Sequence, residues 1–360
     1  VVGGAERYAM ELARNMADAA PTRLLTFGQR DSMEKIGNLE MRVVGSPHYV
    51  RGQRGNPFSA AILGEVLAAD VVHCHQQHIV ASSVSAALAR ATGRKVFVSD
   101  LGGGGWDISG YVSTDRWYHG HLHISEYSKK YFGHSSSPQA HVILGGVDVE
   151  RFSPAPASQR TKDVLFVGRL LPHKGVNYLI DGLPNDMKLN IAGRPYHEEY
   201  FKYLCSRADG KQVQFHHNWD DDLLIEAYRT SLAIVLPSVF MDVYGNKSGV
   251  PELLGQTLLE GMACGIPAIC ANVASMPEIV IDGVDETAVA EAMAAGVLAE
   301  PRVLVARRMR ETDHHAAECV HQRLEAGEVD LDEVLDRQVK FLLHRTHQHI
   351  STVGERRVDA

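Results

Sequence analysis

Two carboxylates, Glu252 and Glu260, stand in PELLGQTLLEGMACG, the stretch from Pro251 to Gly265, with a glycine between them. From Gly255 onward the pattern predicts a helix. Gly255 breaks the preceding loop, Gln256 and Thr257 fit the first turn, Leu258, Leu259 and Met262 form an apolar face, and Gly265 stops it. A helix that opens at a glycine offers unpaired backbone N–H groups and the positive end of its dipole, so an anion finds donors there without a metal. A carboxylate just before such a helix and another inside its first turns suit a ligand with a phosphate in the middle and hydroxyls at both ends. A sugar nucleotide is such a ligand. The competing reading is an amphipathic core helix with two solvated glutamates.

Two cations fit the same chemistry. In VLFVGRLLPHKG an apolar strand, Val164 to Val167, runs into Gly168-Arg169, and Lys174-Gly175 opens the next helix. Arg169 and Lys174 can therefore face one space above a strand end, where they would neutralise a diphosphate and stabilise a leaving group. A solvated basic turn is the alternative. At the start of the chain Gly3-Gly4 opens an amphipathic helix with Tyr8, Leu12 and Met16 as one stripe. Such a turn normally follows a strand, so the chain is expected to lack its natural beginning; a plain tight turn is the other reading.

Alternating strand and helix signals must position these residues. Strands are expected at Thr22 to Thr26, Met41 to Val44, Val71 to Cys74 and Lys95 to Ser99, with a helix near Ser59 to Ala68. This order indicates a parallel sheet with helices on its faces, whose ligands bind at the carboxyl ends of strands. One such end is His73-Cys74-His75, which reads as a polar pocket wall because the short spacing lacks a third metal ligand. Another is Asp100, followed by Leu101, four glycines from Gly102 to Gly105, Trp106 and Asp107. Those glycines allow either a mobile loop or close approach to a sugar, or form a flexible linker. A second alternation follows, with strands at Lys188 to Ala192, Val213 to Phe215, Leu232 to Leu236 and Ala268 to Cys270. Asp220-Asp221-Asp222 reads as the cap of a helix from Asp222 to Arg229 rather than as a metal triad. Helices are also expected over Val305 to Ala326 and Leu331 to His344, and the histidines from His314 to His349 are read as surface.

Composition narrows the class. The chain has 360 residues, 45% of them hydrophobic, which is enough for about two domains. Its formal net charge of -8 argues against a large nucleic-acid footprint or a strongly basic membrane patch. No apolar run approaches the ~20 residues that span a bilayer. Five cysteines without paired short spacing suggest neither a disulfide framework nor a zinc ribbon, and a reducing, cytoplasmic setting is expected.

The run ELLGQTLLEGMACGIPAI followed by MPEIV resembles the glutamate-x7-glutamate motif of family 4 retaining glycosyltransferases. The resemblance implies that Glu252 meets the donor sugar hydroxyls, Glu260 the nucleotide ribose, and the amides between them the diphosphate. Leu254-Gly255 replaces the usual Phe-Gly, which keeps the glycine and alters local packing. GGAERYAMELA resembles the first glycine loop of the same family, GRLLPHKG its basic motif, and SEYSK the strand-then-helix stretch that closes the first half. VILGGVDVERFSP resembles the interdomain turn, with Gly145 where asparagine is frequent. Asn218 and Trp219 match the border of the nucleotide base, and His75 an acceptor-side wall. The family commonly places a histidine where Leu101 stands; either Asp100 substitutes as the polar contact, or His75 reaches in, or the acceptor chemistry differs from the usual. The loop from Phe240 to Val250 is longer than usual, which makes Tyr244, Asn246 and Lys247 candidates for donor or acceptor contacts, and the usual glycine-rich hairpin after Val280 is shortened or absent.

The expected fold is α/β of the GT-B type, two Rossmann-like doubly wound domains facing across a cleft. Residues 1–152 would form the acceptor-side domain, 153–335 the nucleotide-sugar domain, and 336–360 a terminal helix returning to the first. The expected function is metal-independent transfer of a hexosyl group, with retention, from a UDP-sugar or a GDP-sugar to a small-molecule or glycan acceptor. Arg169, Lys174, Glu252 and Asp100 form the catalytic set. Gly3, Gly4, Gly168, Asn218, Leu254, Gly255, Gln256, Thr257 and Glu260 form the donor site, and His75, Gly102, Gly103, Tyr244 and Asn246 the acceptor side. No cofactor, metal or nucleic-acid partner is expected, and nothing indicates membrane association. An epimerase or phosphorylase on the same fold, or a non-catalytic sugar-nucleotide-binding protein, are the alternatives.

Overall fold

The computed structural model describes residues 4–154, 161, 163–280 and the backbone of 303–306. Gly3, the segment 336–360 and the histidines from His314 to His349 lie outside the described residues, as do the two expected terminal helices apart from Val305 and Ala306. The chain forms two compact units. One holds the described residues up to Arg7 together with those from Pro47 onward, and the other holds Tyr8–Ser46.

The first described element is helix α1, Gly4–Ala19. In the smaller unit β1 (Arg23–Gly28), β2 (Ser32–Ile36) and β3 (Leu39–Gly45) form a three-stranded sheet in the order β1-β3-β2. β1 runs parallel to β3, and β2 returns antiparallel along β3. The sequence signals predict β1 and β3 within one parallel α/β alternation, but the structure puts no helix between them and pairs them in a sheet of their own. Strand β2 has no apolar run to announce it, because four of its five residues are exposed.

The larger unit continues with β4 (His48–Tyr49), β5 (Pro57–Phe58), α2 (Ala61–Ala68), β6 (Val71–Cys74), α3 (Val80–Ala91), β7 (Lys95–Val98), β8 (Gly120–His123), α4 (Glu126–Tyr131) and β9 (Ala140–Val142). Strands β6 to β9 form a parallel sheet in chain order. Helix α3 lies close on it because its buried face is made only of alanines and serines, Ala81, Ser82, Ser83, Ser85, Ala86 and Ala89.

Beyond residue 160 come β10 (Val164–Val167), α5 (Val176–Gly182), β11 (Leu189–Ala192), α6 (Glu198–Arg207), β12 (Val213–His216), α7 (Asp221–Thr230), β13 (Ala233–Leu236), α8 (Gln256–Ala263), β14 (Ala268–Ala271), α9 (Met276–Ile279) and β15 (Val303–Ala306). Their sheet has the order β12-β11-β10-β13-β14-β15. All four residues of β10, β11 and β13 are buried, as in a parallel sheet covered on both faces. Val305 and Ala306, expected to open a helix, instead close β15, which runs antiparallel to β14 in register Ala268↔Ala306. The chain winds outward from β10 through β12 and then crosses to β13 on the other side of β10. That reversal leaves an opening above the carboxyl ends of β10 and β13, where ligands bind in open α/β sheets.

Hydrogen bonds join the two parallel sheets through the start of α4. Ser125 caps α4 by accepting from Ser128 N, and its own hydroxyl donates to Leu253 O at 2.7 Å. Glu278, of the MPEIV run, accepts from Glu126 N and Tyr127 N at 2.7 Å each, and Tyr127 OH donates to Gly249 O at 2.7 Å.

Candidate active site

Lys174 ends a single 3-10 turn, Pro172–Lys174, that follows β10. The next residue, Gly175, has φ 67, and a Cβ there would stand 2.0 Å from Pro237 O at the end of β13. This turn therefore seats Lys174 against the neighbouring strand end, where it is 9% exposed. Its ammonium pairs with Glu252 Oε1 and donates to Pro251 O at 3.3 Å. Ser238, just past β13, donates to the same carboxylate oxygen at 3.0 Å. Among the described residues Oε2 of Glu252 accepts no hydrogen bond. Arg169 is exposed, and its guanidinium lies 5.9 Å from the centre of the Tyr196 ring. Gly168 sits beside Gly193, where a Cβ would meet Gly168 O at 1.8 Å.

Gly255 takes the N-cap position of α8 in the left-handed region, φ 77, and a Cβ there would meet Met276 Cε at 2.7 Å. Only glycine meets both demands. Gln256 and Thr257 form the first turn, as expected, and Gln256 donates to Gly146 O at 3.0 Å. The Cβ of Gln256 is 3.8 Å from the place a Cβ on Gly4 would occupy. Gly4 and Gln256 therefore lie side by side, and the start of α8 brings free N–H groups and a positive dipole end.

Glu260 is 2% exposed, which rules out the solvated helix face. Tyr228 OH donates to its Oε2 at 2.7 Å, and Arg7 Nε stands 3.6 Å from Oε1. Burial raises the carboxyl pKa, while Arg7 and the tyrosine hydroxyl oppose that shift. Arg7 is itself 8% exposed and donates to Asp221 Oδ1 at 2.8 Å; Arg151 pairs with the other Asp221 oxygen. Of the aspartate trio, Asp220 is the cap, accepting from Leu223 N at 2.9 Å, and Asp221 belongs to the Arg7 cluster. Asn218 is exposed, and next to it His216 and Trp219 stack at 4.1 Å.

At the end of β7, Asp100 is 5% exposed. Its Oδ1 accepts from Gly102 N at 3.0 Å, and its Oδ2 lies 3.6 Å from His78 Nε2 without a hydrogen bond. Burial raises the Asp100 pKa, with the Gly102 amide and His78 opposing. The glycine run is a pinned turn rather than a linker. Gly102, Gly103 and Gly104 have φ of 81, 88 and 141, Gln76 donates to Gly102 O at 3.2 Å, and Gly105 N donates to His78 O at 2.9 Å. A Cβ on Gly102 would be 3.2 Å from Leu253 Cδ1, so this turn reaches the neighbour of Glu252. The His75 ring lies tilted against that of His73 with centres 4.4 Å apart, and burial lowers its pKa to about 4, which keeps the ring neutral.

Tyr244 and Asn246 stand in a turn organised by Asp242, which accepts from both backbone amides at 2.9 Å. Asn246 also spends its side-chain amide on Asp242, and Tyr244 packs beside His197 and Tyr200. Sequence reasoning missed Arg7, Tyr228 and Ser238. Arg7 carried a signal: a cation in the first turn of α1 opposes the helix dipole and needs a partner elsewhere.

Residues 148–301 match the model of glycosyl transferases group 1. Arg169, Lys174, Glu252 and Glu260 all fall inside that match; Gly4 and Asp100 fall outside it. An uncharacterised glycosyltransferase of Methanocaldococcus jannaschii is 33% identical over 125 residues, 33% of this chain and 29% of that one. The GDP-mannose-dependent alpha-(1-6)-phosphatidylinositol monomannoside mannosyltransferase of Mycolicibacterium smegmatis is 28% identical over 189 residues, covering 46% of this chain and 47% of its own. The chain thus spans less than half the length of these curated relatives. Sucrose-phosphate synthase from Thermosynechococcus elongatus superposes with a TM-score of 0.58 at 18% identity, covering 81% of this chain and 84% of its own. The fold is that of GT-B glycosyltransferases, α/β with parallel Rossmann-like sheets. The matched family and the named relatives are glycosyltransferases.

Proposed function

We propose that this chain transfers a hexosyl group from a nucleoside diphosphate sugar, a UDP-sugar first and a GDP-sugar second, to a hydroxyl of a small molecule or glycan, with retention at the anomeric carbon. The observation that carries this reading is Lys174 paired with Glu252 beside the N-terminus of α8, at the strand ends where the sheet reverses. In the resting site the two charges satisfy each other. A diphosphate placed on the amides of α8 gives Lys174 a second anionic partner and leaves Glu252 to accept from sugar hydroxyls through its unused oxygen.

As the C1–O bond to the diphosphate breaks, negative charge grows on the departing phosphate. Lys174, Arg169 and the α8 amides stabilise it. The acceptor oxygen bonds to C1 on the same face, and its proton passes to the leaving phosphate oxygen. Glu260, held by Tyr228 and Arg7, is assigned to the ribose, and Asp100 to a hydroxyl of the transferred sugar. The positive charge comes from protein groups, so the transfer step is assigned no metal. The four described cysteines, all free, fit a cytoplasmic setting.

The test incubates the protein with UDP-sugars and GDP-sugars, with and without hydroxyl acceptors, and follows nucleoside diphosphate release and anomeric configuration by NMR. Retained configuration with release is the expected result. Inversion overturns the stereochemical assignment, and absence of release from every donor overturns the activity. Turnover of the donor in EDTA should match that in Mg2+ or Mn2+; a strict requirement for either ion would refute the metal-free transfer step.

A further inference from the structure

A second cluster of chemically competent side chains lies outside the glutamate–lysine site. Asp115, His121 and His134 each offer a ligand atom, and these atoms all lie within 4.8 Å of one another. They come from three places in the chain: a 3-10 turn, Asp115–Trp117; strand β8; and the loop after α4. Both histidines are more than nine-tenths buried, His121 at 3% and His134 at 8% exposed. The cluster meets a cavity of about 420 Å³ whose wall includes Gln77, His78, Tyr111, Asp115, Phe132 and His134.

The nitrogen pattern suits an ion. His134 Nδ1 faces His123 Nε2 at 3.0 Å, whereas its Nε2 stands 3.8 Å from Asp115 Oδ1, beyond hydrogen-bond distance. With its proton on Nδ1 and donated to His123, the His134 ring presents a lone pair at Nε2 toward the carboxylate. His121 packs ring to ring with His134 at 4.2 Å, and its Nε2 is 3.3 Å from Asp115 O. Asp115 is oriented by Gln77, which donates to Oδ1 at 2.7 Å, and by Ser113, which donates to Oδ2 at 3.1 Å. A carboxylate has about four lone-pair sites, so these two bonds leave room for a metal.

We propose that Asp115, His121 and His134 form a binding site for a divalent transition-metal ion, with its remaining coordination position open to the cavity. Two imidazoles and one carboxylate are borderline ligands of the kind zinc takes, and three protein ligands leave the fourth tetrahedral position for water or a substrate oxygen. Bonds of about 2.0–2.1 Å set tetrahedral ligand atoms about 3.3–3.4 Å apart, so the Asp115–His134 spacing needs to close by about half an ångström. His123 and Gln77 serve as the outer partners that fix ring and carboxylate orientation. His78, in the same cavity wall, is 3.6 Å from Asp100 Oδ2, which places the cavity beside the turn assigned to the acceptor side.

The experiment strips the full chain with a chelator, removes the chelator, and titrates Zn2+ by calorimetry and Co2+ by visible absorption. The wild-type protein should bind one ion with tetrahedral-type Co2+ bands that Zn2+ displaces, and added Zn2+ should raise its melting temperature. Asp115→Asn and His134→Gln should each bind at least about 10-fold to 100-fold more weakly, with unchanged circular dichroism in the metal-free state. His48→Gln, an exposed histidine of β4, should bind as the wild type does. No ion on the wild-type chain overturns the proposal, and so does binding that persists in both variants. Should either variant fail to fold, the Co2+ spectrum of the wild type decides: bands without imidazole coordination, read by histidine NMR, refute the site.

Discussion

Glu252 and Glu260 carry the same chemical group in two environments, and that difference separates their expected effects. The Glu252 side chain is 11% exposed, with both protein contacts on Oε1. Glu252→Ala should lower turnover strongly while leaving nucleoside diphosphate affinity nearly unchanged, because the phosphate and ribose contacts survive. Glu260→Ala should weaken the bare nucleotide by about ten- to a hundred-fold, the worth of a charge-assisted hydrogen bond of about 1.5 to 3 kcal/mol. It should also cost stability, since Arg7 and Tyr228 lose a buried partner. Calorimetric nucleotide titration beside initial-rate kinetics and thermal melts checks both variants; equal effects on affinity would contradict the division of roles. The glutamates and Lys174 were legible because charge and glycine spacing mark a helix start. Arg7, Tyr228 and Ser238 were hidden because long-range partners leave no local pattern.

At the scale of elements, the start of α8 was legible nearly to the residue, while its fit against the preceding turn was not. Leu254 is buried, and a Cβ on Gly145 would stand 2.1 Å from Leu254 Cδ2. Two of the positions at which this chain departs from the motifs it resembles, leucine for phenylalanine and glycine for asparagine, are therefore in contact. Gly145→Ala should destabilise by about 1–3 kcal/mol through overpacking, and Gly145→Ala with Leu254→Ala should lose less than the sum of the two single losses. Urea melts of both single variants and the double variant measure the coupling, and strict additivity would show that the contact carries no energy. The strand runs of the larger sheet were readable because burial on both faces makes them continuously apolar. Strand β2 was not, since an exposed strand needs no apolar pattern.

For the whole molecule, buried neutral histidines set a direction for acid stability. His75 has its pKa lowered to about 4 by burial, against about 6.5 for a free imidazole. Above pH 6.5 neither folded nor unfolded chain binds a proton there. Between 6.5 and 4 only the unfolded chain does, so stability falls on acidification by at most about 1.4 kcal/mol per pH unit for this group. His73, also held well below the usual imidazole range by burial and by His75, acts in the same direction. Denaturant melts from pH 7.5 to 4.5 should show the decline, and His75→Gln should flatten it; an unchanged slope in that variant would assign the decline to other groups. The bonds from Ser125, Tyr127 and Glu278 have a mechanical consequence. They tie the sheet of β6–β9 to the loop and helix of the other sheet, so loss of either side exposes the start of α4 or its carboxylate partner. Unfolding of the larger unit should therefore be cooperative. The three tryptophans divide conveniently, with Trp106 and Trp117 on one side and Trp219 on the other. Single-tryptophan variants should give coincident urea transitions in the parent chain and transitions that drift apart once Glu278 is replaced by alanine; transitions already separate in the parent would show that the two sheets unfold as independent bodies.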